Sequence, residues 1–236
     1  MRDAGDRRAA PAFVVRRVEG PNEILRPPDG VDDRTAATLA IAGRTASAAL
    51  AVVHAGPDDT LLIGGAAGGV GVFAVQLARI AGARVIGTGS ATSSDFLRDL
   101  GAEPVAYGDG LADRVRALAP GGVTAAIDLY GTETVHAARE LGVPDGRICT
   151  IAAQVDGVST ANGANAAPVA LDEVARLVAA GRLRVPIAAS FPIEQIRRAA
   201  ELQAGRHVHG KVVIDLWVER DRCVRGCTRT PCVRVT

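Results

Sequence analysis

Short apolar runs alternate with stretches of helical periodicity along most of this chain. Residues 60–63 and 84–87 are apolar runs of the kind carried by strands buried in a parallel sheet. Between them, apolar residues recur at helical spacing from Val70 to Ile80, and Gly82 follows where a left-handed helix cap is expected. This order predicts a strand–turn–helix–strand unit of about the length that a βαβ crossover needs.

The same alternation continues on both sides of this unit. Further strands are predicted at 104–107, 124–129, 147–152 and 211–214, and helices at 35–42, 45–53, 95–100, 111–118, 133–141, 171–180 and 191–202. Gly43 is expected to separate the first two helices, and residues 154–168 are expected to form a loop. Strict alternation predicts an α/β fold, a doubly wound parallel Rossmann sheet with right-handed crossovers.

A glycine cluster lies between the first predicted strand and its helix. Ala66, Gly68 and Gly71 form the pattern A-x-G-x-x-G, a dinucleotide-binding fingerprint in which Ala replaces the first Gly. Such glycines permit a tight turn and let a pyrophosphate approach backbone N–H groups and the positive end of the helix dipole. The strand before the loop and the helix and strand after it favour cofactor binding over the alternative of a purely structural turn.

The end of the second predicted strand bears on the choice of cofactor. Proteins that bind NAD usually carry an acidic residue here, which hydrogen-bonds the ribose 2′-hydroxyl. This chain has Thr88 and Ser90 within the sequence TGSATSS, and no Asp or Glu occurs before Asp95. Small hydroxyls can hydrogen-bond a 2′-phosphate and no carboxylate repels it, so NADP(H) is favoured. The alternative is that these serines only cap the helix that starts near Ser93 or Ser94.

Composition and charge narrow the range of functions. The 236 residues are 48% hydrophobic with only 3% aromatics, which suits an α/β core packed by Ala, Val and Leu. A formal net charge of +1 gives no electrostatic case for nucleic acid or an anionic membrane. No apolar run approaches the ~20 residues of a membrane span, and the first residues are too polar for a signal peptide. We therefore expect a cytoplasmic protein with neither a nucleic-acid nor a membrane partner.

The cysteines predict no metal site. Cys149 stands alone in an apolar strand pattern, where a buried structural thiol is expected. Cys223, Cys227 and Cys232 have spacings that match no common zinc site. They belong to a basic, aperiodic tail, residues 217–236, which is predicted to be disordered.

Six segments of the sequence resemble the zinc-independent quinone oxidoreductase branch of the medium-chain dehydrogenase/reductase superfamily. They are residues 36–46, 61–88, 100–109, 125–131, 146–153 and 191–214. The resemblance implies an NADPH-dependent enzyme that transfers hydride to a conjugated carbonyl, such as a small-molecule quinone or enone. It also implies a possible homodimer formed through the edge of the sheet.

The resemblance further implies a set of cofactor-binding residues. Gly68, Gly69, Val70 and Gly71 match the pyrophosphate loop. The remaining positions are Ser90 beside the 2′-phosphate, Tyr107 near the adenine, Thr45 towards the nicotinamide, Ala66 and Thr88 around the loop, and Asp128, Ile151 and Ala152 where the fourth and fifth strands meet the cofactor. The alternatives are that Tyr107 merely ends a strand and that Asp128 caps the following turn. No catalytic residue can be named.

The sequence departs from the family before the segment that resembles the family's inter-domain helix. Family members carry a complete GroES-like barrel there, whereas residues 1–34 are interpreted as a remnant of that domain. Residues 35–216 are predicted to be the NADP-binding Rossmann domain. A truncated member is therefore expected, and one alternative to the enzyme is a non-catalytic nucleotide-binding or decayed protein. A weaker alternative is an enoyl reductase domain cut from a larger synthase.

Overall fold

The main sheet is formed by six parallel strands. The computed structural model describes residues 29–205 and 208–216, so residues 1–28 of the predicted remnant and the predicted tail lie outside the described residues. The strands are β1 (Thr60–Gly64), β2 (Arg84–Gly89), β3 (Glu103–Ala106), β4 (Ala125–Asp128), β5 (Ile148–Thr150) and β6 (Ser159–Thr160). Their order is β3-β2-β1-β4-β5-β6 with every pairing parallel. This is the doubly wound Rossmann order, so the predicted fold class is confirmed.

Helices cover both faces of this sheet. The helices of the described residues are α1 (Asp33–Thr38), α2 (Arg44–Val52), α3 (Gly71–Ile80), α4 (Ser94–Asp99), α5 (Leu111–Leu118), α6 (Glu133–Glu140), α7 (Ala170–Ala179) and α8 (Ile196–Ala204), of which α8 packs on a second, two-stranded sheet. Leu61 and Ile63 of β1 pack into the core with α2, α3 and α7, whereas Leu62 packs into the opposite core with α5 and α6. Side chains alternate across a strand, and both faces are covered, which is why β1 is a continuous apolar run.

The first helix is continuous, so the predicted break at Gly43 is wrong. A π-helical turn, Leu39–Gly43, joins α1 to α2. A Cβ atom at Gly43 would lie 3.0 Å from a methyl of Val174. Glycine therefore permits close packing of α7 against the helix instead of ending it. Asp32 caps the N-terminus by accepting a hydrogen bond from the Thr35 N–H at 3.0 Å.

This continuous helix also changes the expectation about membranes. Among the described residues, Asp33–Val52 is long and apolar enough, by length and composition, to cross a membrane. More than half of its most apolar window, 56%, is buried against the rest of the protein. Core helices of globular domains can be equally long and apolar. This helix packs against α3 and α7, as a core helix does.

A second, two-stranded sheet was only half predicted. Strand β8 (Lys211–Asp215) was expected, but its parallel partner β7 (Ile187–Pro192) occupies residues that were assigned in part to the last helix. That helix begins later, at Ile196. Half-buried and exposed positions alternate over residues 187–190 of β7, and its short apolar run is interrupted by Ser190 and Pro192. β6, inside the predicted loop, is only two exposed residues long.

Candidate cofactor site at the carboxyl ends of the strands

A pocket of about 770 Å³ opens where β1, β2 and β4 end. In a doubly wound sheet, ligands bind beyond the carboxyl ends of the strands, at the point where the strand order reverses. That point lies between β1 and β4, where Gly64 is in register with Asp128. The segment 208–211 also lines the pocket. The amide N–H of Gly210 donates to the carbonyl of Ala67 at 3.0 Å and so fixes this segment against the glycine loop.

Two positions of the loop admit only glycine. A Cβ atom at Gly64 would lie 2.1 Å from Oγ1 of Thr134, and one at Gly71 would lie 2.4 Å from the carbonyl oxygens of Gly65 and Ala66. Gly65 adopts a φ of 67°, in the left-handed region that glycine tolerates best. Its N–H donates to Oγ1 of Thr88 at 3.1 Å. The loop is therefore held tightly against the ends of β1 and β2.

The loop ends in a set of hydrogen-bond donors that lack acceptors. α3 starts at Gly71, and its N-cap residue Val70 makes no side-chain capping bond. Within the part of the chain that the structure describes, the N–H groups of Gly69, Val70 and Gly71 donate to no acceptor. Free N–H groups at the positive end of a helix form an anion-binding site.

Lys211 adds a positive charge beside these donors. Its Nζ and Cδ atoms would lie 3.2 Å from a Cβ atom placed on Gly69. Lys211 is half-buried, and this burial lowers the pKa of its ammonium group. Over residues 29–205 and 208–216 this ammonium group forms no ion pair and no hydrogen bond. An anion bound to the loop would therefore supply the counter-charge that it lacks.

Hydroxyl groups surround the end of β2. Oγ of Ser90 is hydrogen-bonded to Oγ1 of Thr92 at 2.8 Å and to Oγ of Ser93 at 2.7 Å. Ser93 in turn is bonded to Nε2 of His209 at 2.9 Å. The His209 ring stacks on Phe96, with centroids 5.0 Å apart and planes at 19°. These four polar side chains line the pocket and bring no carboxylate to it.

Asp128 shapes the pocket wall through backbone hydrogen bonds. Its Oδ1 accepts from the N–H groups of Tyr130 and Gly131 at 2.9 and 2.8 Å. Its Oδ2 accepts from the N–H of Thr134 at 2.9 Å. The carboxylate is buried and fixes the turn that leads into α6, as one of the two sequence interpretations supposed.

The pocket contains eight of the twelve residues predicted from the sequence. These are Gly68, Gly69, Val70, Gly71, Thr88, Ser90, Tyr107 and Asp128. Tyr107 is half exposed, and its N–H extends the pairing of β3 with β2 through the Gly89 carbonyl at 3.4 Å.

Four predicted residues lie outside the pocket lining. Ala66 is fully buried beneath the loop, and its N–H donates a hydrogen bond to the carbonyl of Thr88 at 3.3 Å. Thr45 is buried on α2, beside Gly163. Ile151 and Ala152 directly follow β5, one strand further from the glycine loop than β4. The predicted contacts of Thr45 with the nicotinamide end, and of Ile151 and Ala152 with the cofactor, remain predictions.

The main residues that the sequence reasoning missed are Lys211, His209 and Tyr130. Lys211 is predicted only as the first residue of the strand 211–214, and no local signal in the sequence places that strand or His209 against the glycine loop. Tyr130 stands at the pocket wall with its Cβ 3.2 Å from the position of a Cβ on Gly65.

Among the described residues there is neither a cluster of metal-binding side chains nor a reactive thiol. Nowhere in residues 29–205 and 208–216 do three His, Cys, Asp or Glu side chains come together to hold a metal ion. Cys149 is fully buried on β5, and desolvation raises the pKa of its thiol to about 11. The thiol is therefore protonated at neutral pH and is a packing group.

Comparison with known proteins identifies the class. The Rossmann-like sheet with a glycine loop at its switch point is the arrangement found in nicotinamide-dependent dehydrogenases. A family model described as "Zinc-binding dehydrogenase" matches residues 69–183. The structure of the quinone oxidoreductase from Coxiella burnetii superimposes with a TM-score of 0.69 at 28% identity, covering 82% of this chain and 64% of that one. The chain is a quinone oxidoreductase-like member of the medium-chain dehydrogenase/reductase superfamily.

Two further relatives extend this comparison. Mycobacterial Rv1454c, solved in complex with NADPH, gives a TM-score of 0.70 at 26% identity and covers 80% of this chain and 68% of its own. A phenolphthiocerol/phthiocerol polyketide synthase of Mycobacterium tuberculosis is 30% identical over 219 residues, or 80% of this chain. The chain spans 10% of the length of this synthase, and also 10% of the length of each of two further polyketide synthases that it matches.

Proposed function

We propose that this protein is an NADP(H)-dependent oxidoreductase that transfers hydride to a quinone, an enone or a similar conjugated carbonyl. The observation that carries the proposal is the proximity of two kinds of donor that have no partner among the described residues: the loop N–H groups and the ammonium group of Lys211. Both are donors to an anion of the size of a pyrophosphate, and they meet at the switch point of a dehydrogenase-type sheet.

Each part of the pocket fits one part of a dinucleotide. Gly69, Val70, Gly71 and Lys211 would hold the pyrophosphate, and the hydroxyls around Ser90 would meet the ribose phosphate. The exposed ring of Tyr107 would cover the adenine. The nicotinamide end would extend from Asp128 towards Thr45, Ile151 and Ala152.

The cofactor, when bound, supplies the hydride, so the chain's own residues have only to bind, orient and exclude water. Asp128 orients the turn at Tyr130 and Gly131, whose backbone forms one wall of the cleft. The absence of a carboxylate at residues 89–94 leaves a 2′-phosphate unopposed. This supports NADP(H) over NAD(H), as does the NADPH bound to a structural relative.

The first experiment is a titration of the purified chain with NADPH and with NADH, followed by nicotinamide fluorescence and by the melting temperature. Cofactor oxidation is then measured with a quinone, an enone and an enoyl thioester in parallel. We expect tighter binding of NADPH and oxidation by at least one conjugated carbonyl. Failure of both nucleotides to bind at millimolar concentration would refute the proposal. Binding without turnover would favour the non-catalytic alternative.

A second candidate function is the reduction of an enoyl thioester. The observation that favours it is the match to a polyketide synthase over 80% of this chain. Enoyl reduction is the same hydride transfer to a conjugated carbonyl, with a thioester in place of the quinone. A preference for the enoyl thioester by tenfold or more in kcat/KM would select this candidate.

We also propose that the protein forms a homodimer and acts in the cytoplasm. The resemblance supports the first, and β6 offers an exposed edge of the sheet at Ser159–Thr160. Light scattering of the purified chain tests the dimer, and a monomer at micromolar concentration would exclude it. Fractionation of the source cells tests the location.

A further inference from the structure

We propose that His209 is a positioning residue that selects NADP(H) over NAD(H), acting through Ser93 and Ser90. The inference rests on the proposed function and assigns its 2′-phosphate specificity to a histidine from the approach to the second sheet. His209 lies far from the glycine loop in sequence, yet both line one pocket.

The polar side chains form a single unbranched chain of hydrogen bonds. It runs from His209 Nε2 to Ser93, from Ser93 to Ser90 and from Ser90 to Thr92. Each hydroxyl has one hydrogen to donate, whereas its oxygen can accept two hydrogen bonds. Whether Nε2 of His209 donates to Ser93 or accepts from it therefore decides how many hydroxyl hydrogens are left for a ligand.

The role of His209 sets what the pocket can offer. When Nε2 of His209 donates to Ser93, the buried Ser93 hydroxyl donates to Ser90, and the bond between Ser90 and Thr92 uses one more hydrogen. One hydroxyl hydrogen at Ser90 or Thr92 then stays free to donate into the pocket. When Nε2 accepts from Ser93 instead, all three hydroxyl hydrogens are used within the chain of hydrogen bonds. Ser90 and Thr92 then present only lone pairs to the pocket.

A donor distinguishes a phosphate from a hydroxyl. A ribose 2′-phosphate only accepts hydrogen bonds at neutral pH, and it binds strongly to oriented donors. A ribose 2′-hydroxyl both donates and accepts, so either arrangement satisfies it. Loss of the donor at His209 should therefore weaken the binding of NADPH and leave that of NADH nearly unchanged.

Packing holds the imidazole in the orientation that this requires. The ring stacks on Phe96 at a centroid distance of 5.0 Å, within the range of favourable aromatic pairs. Ser93 is buried, so its hydroxyl is shielded from competing water. Ser93 makes no side-chain capping bond to α4, which leaves its hydroxyl free for the chain of hydrogen bonds.

The test compares variants by their affinity for NADPH and NADH, and for the fragments 2′,5′-ADP and 5′-ADP. His209→Phe keeps the stacked ring and removes the Nε2–H donor that the proposal assigns to His209. Without His209, the bond between Ser93 and Ser90 can run in either direction. If Ser93 donates, its oxygen lacks the donor it had, and if Ser93 accepts, its own hydrogen has no acceptor. The direction that leaves a hydrogen of Ser90 or Thr92 free for the ligand is therefore no longer favoured.

The size of the effect follows from the loss of about one oriented hydrogen bond. We expect the affinity of His209→Phe for NADPH and 2′,5′-ADP to fall roughly 3- to 10-fold. Its affinity for NADH and 5′-ADP should stay within about twofold of the wild-type value. His209→Gln, whose amide can donate to Ser93, should restore most of the selectivity.

A double-mutant cycle tests whether His209 acts through Ser93. In a Ser93→Ala background the link to Ser90 is absent, so His209→Phe should cause no further loss of NADPH affinity. His136→Phe, an exposed histidine on α6 outside the pocket, is the matched control and should change nothing. If His209→Phe fails to fold, His209→Leu, which also removes the donor, is compared with wild type and in the Ser93→Ala background to measure the same coupling.

The failure of this inference is distinguishable from that of the proposed function. If wild-type protein prefers NADPH and His209→Phe keeps that preference, the inference is wrong and the proposed function stands. Equal loss of NADPH and NADH affinity would also overturn it, because that pattern marks a structural role. The same holds if His209→Phe has its full effect in the Ser93→Ala background. If the wild-type chain binds neither nucleotide, both fall together.

Discussion

Substitution of Gly71 by alanine tests whether the loop is as tightly closed as the structure indicates. A Cβ atom at this position would lie 2.4 Å from the carbonyl oxygens of Gly65 and Ala66, and 2.6 Å from the carbonyl carbon of Ala66. All three contacts are with backbone, which cannot rotate away as a side chain does. Restoring ordinary contact requires the loop and the start of α3 to separate by about 1 Å.

The separation must disturb the core, because Val72 and Phe73 follow at once and are both fully buried. Overpacking of a filled interior costs about 1–3 kcal/mol and sometimes more. We expect Gly71→Ala to lower the free energy of unfolding by about 2–4 kcal/mol. For a chain of this size, that corresponds to a fall in Tm of about 5–15 °C.

Thermal and urea unfolding of Gly71→Ala and wild type measure this cost. Gly121→Ala is the matched control, since Gly121 is exposed and a Cβ atom there would meet nothing within 4 Å. The control should unfold within about 0.5 kcal/mol of wild type. An equally small change in Gly71→Ala would show that the loop yields freely and would refute the steric reasoning. NADPH binding should fall as well, because the free N–H groups are displaced.

Three further changes probe the surroundings of the pocket. Lys211→Met should weaken NADPH binding on the order of 10- to 100-fold in the titration, while the Tm of the free protein stays equal or rises, because a desolvated charge is removed. Asp128→Asn should destabilise the fold by about 2–3 kcal/mol in urea, because an amide N–H₂ replaces an oxygen that accepts backbone hydrogen bonds. Asp215→Asn should flatten the acid limb of the stability curve. Arg34 holds the pKa of Asp215 below its usual value. The stabilisation is therefore present above pH ~4 and lost as pH falls through the lowered pKa.

Each of these expectations has an outcome that contradicts it. Unchanged affinity in Lys211→Met would remove the ammonium group from the proposed pyrophosphate site. An unaltered urea midpoint in Asp128→Asn would mean that the turn holds without its carboxylate. Because Arg34 is more than half exposed, the Asp215 effect should be below about 1 kcal/mol. Asp95→Asn, in an ion pair with almost complete exposure of the carboxylate, is its control and should have no effect.

The buried strands and the loop between β1 and α3 could be predicted because their signals are local. Leu61, Leu62 and Ile63 form an apolar run only because helices cover both faces of the sheet. Gly64 and Gly71 stand where backbone and Thr134 leave no room for a Cβ atom. The apolar residues that predict β1 belong to β1, and the glycines that predict the loop belong to the loop or directly adjoin it.

Lys211 and His209 could not be placed from the sequence for the opposite reason. Both reach the pocket because the Gly210 N–H bonds to the carbonyl of Ala67, a contact between distant parts of the chain. Apolar periodicity identifies β8 as a strand but not its neighbour. The sequence does not predict β7, because its apolar run is only three residues long before Ser190 and none of its residues is fully buried. The fold was thus predictable in its centre and less so at its second sheet.

The bond between Gly210 and Ala67 also sets an order of events during folding. The two residues are separated by more than half the chain. Contacts between such distant residues form slowly, since the intervening segment must lose entropy first. The main sheet can assemble from neighbouring βα units while the chain is still being synthesised, but the pocket is complete only when residues 208–211 return to the loop. We therefore expect the capacity to bind nucleotide to appear in the last step of refolding, so that nucleotide binding can be used as a probe of that step.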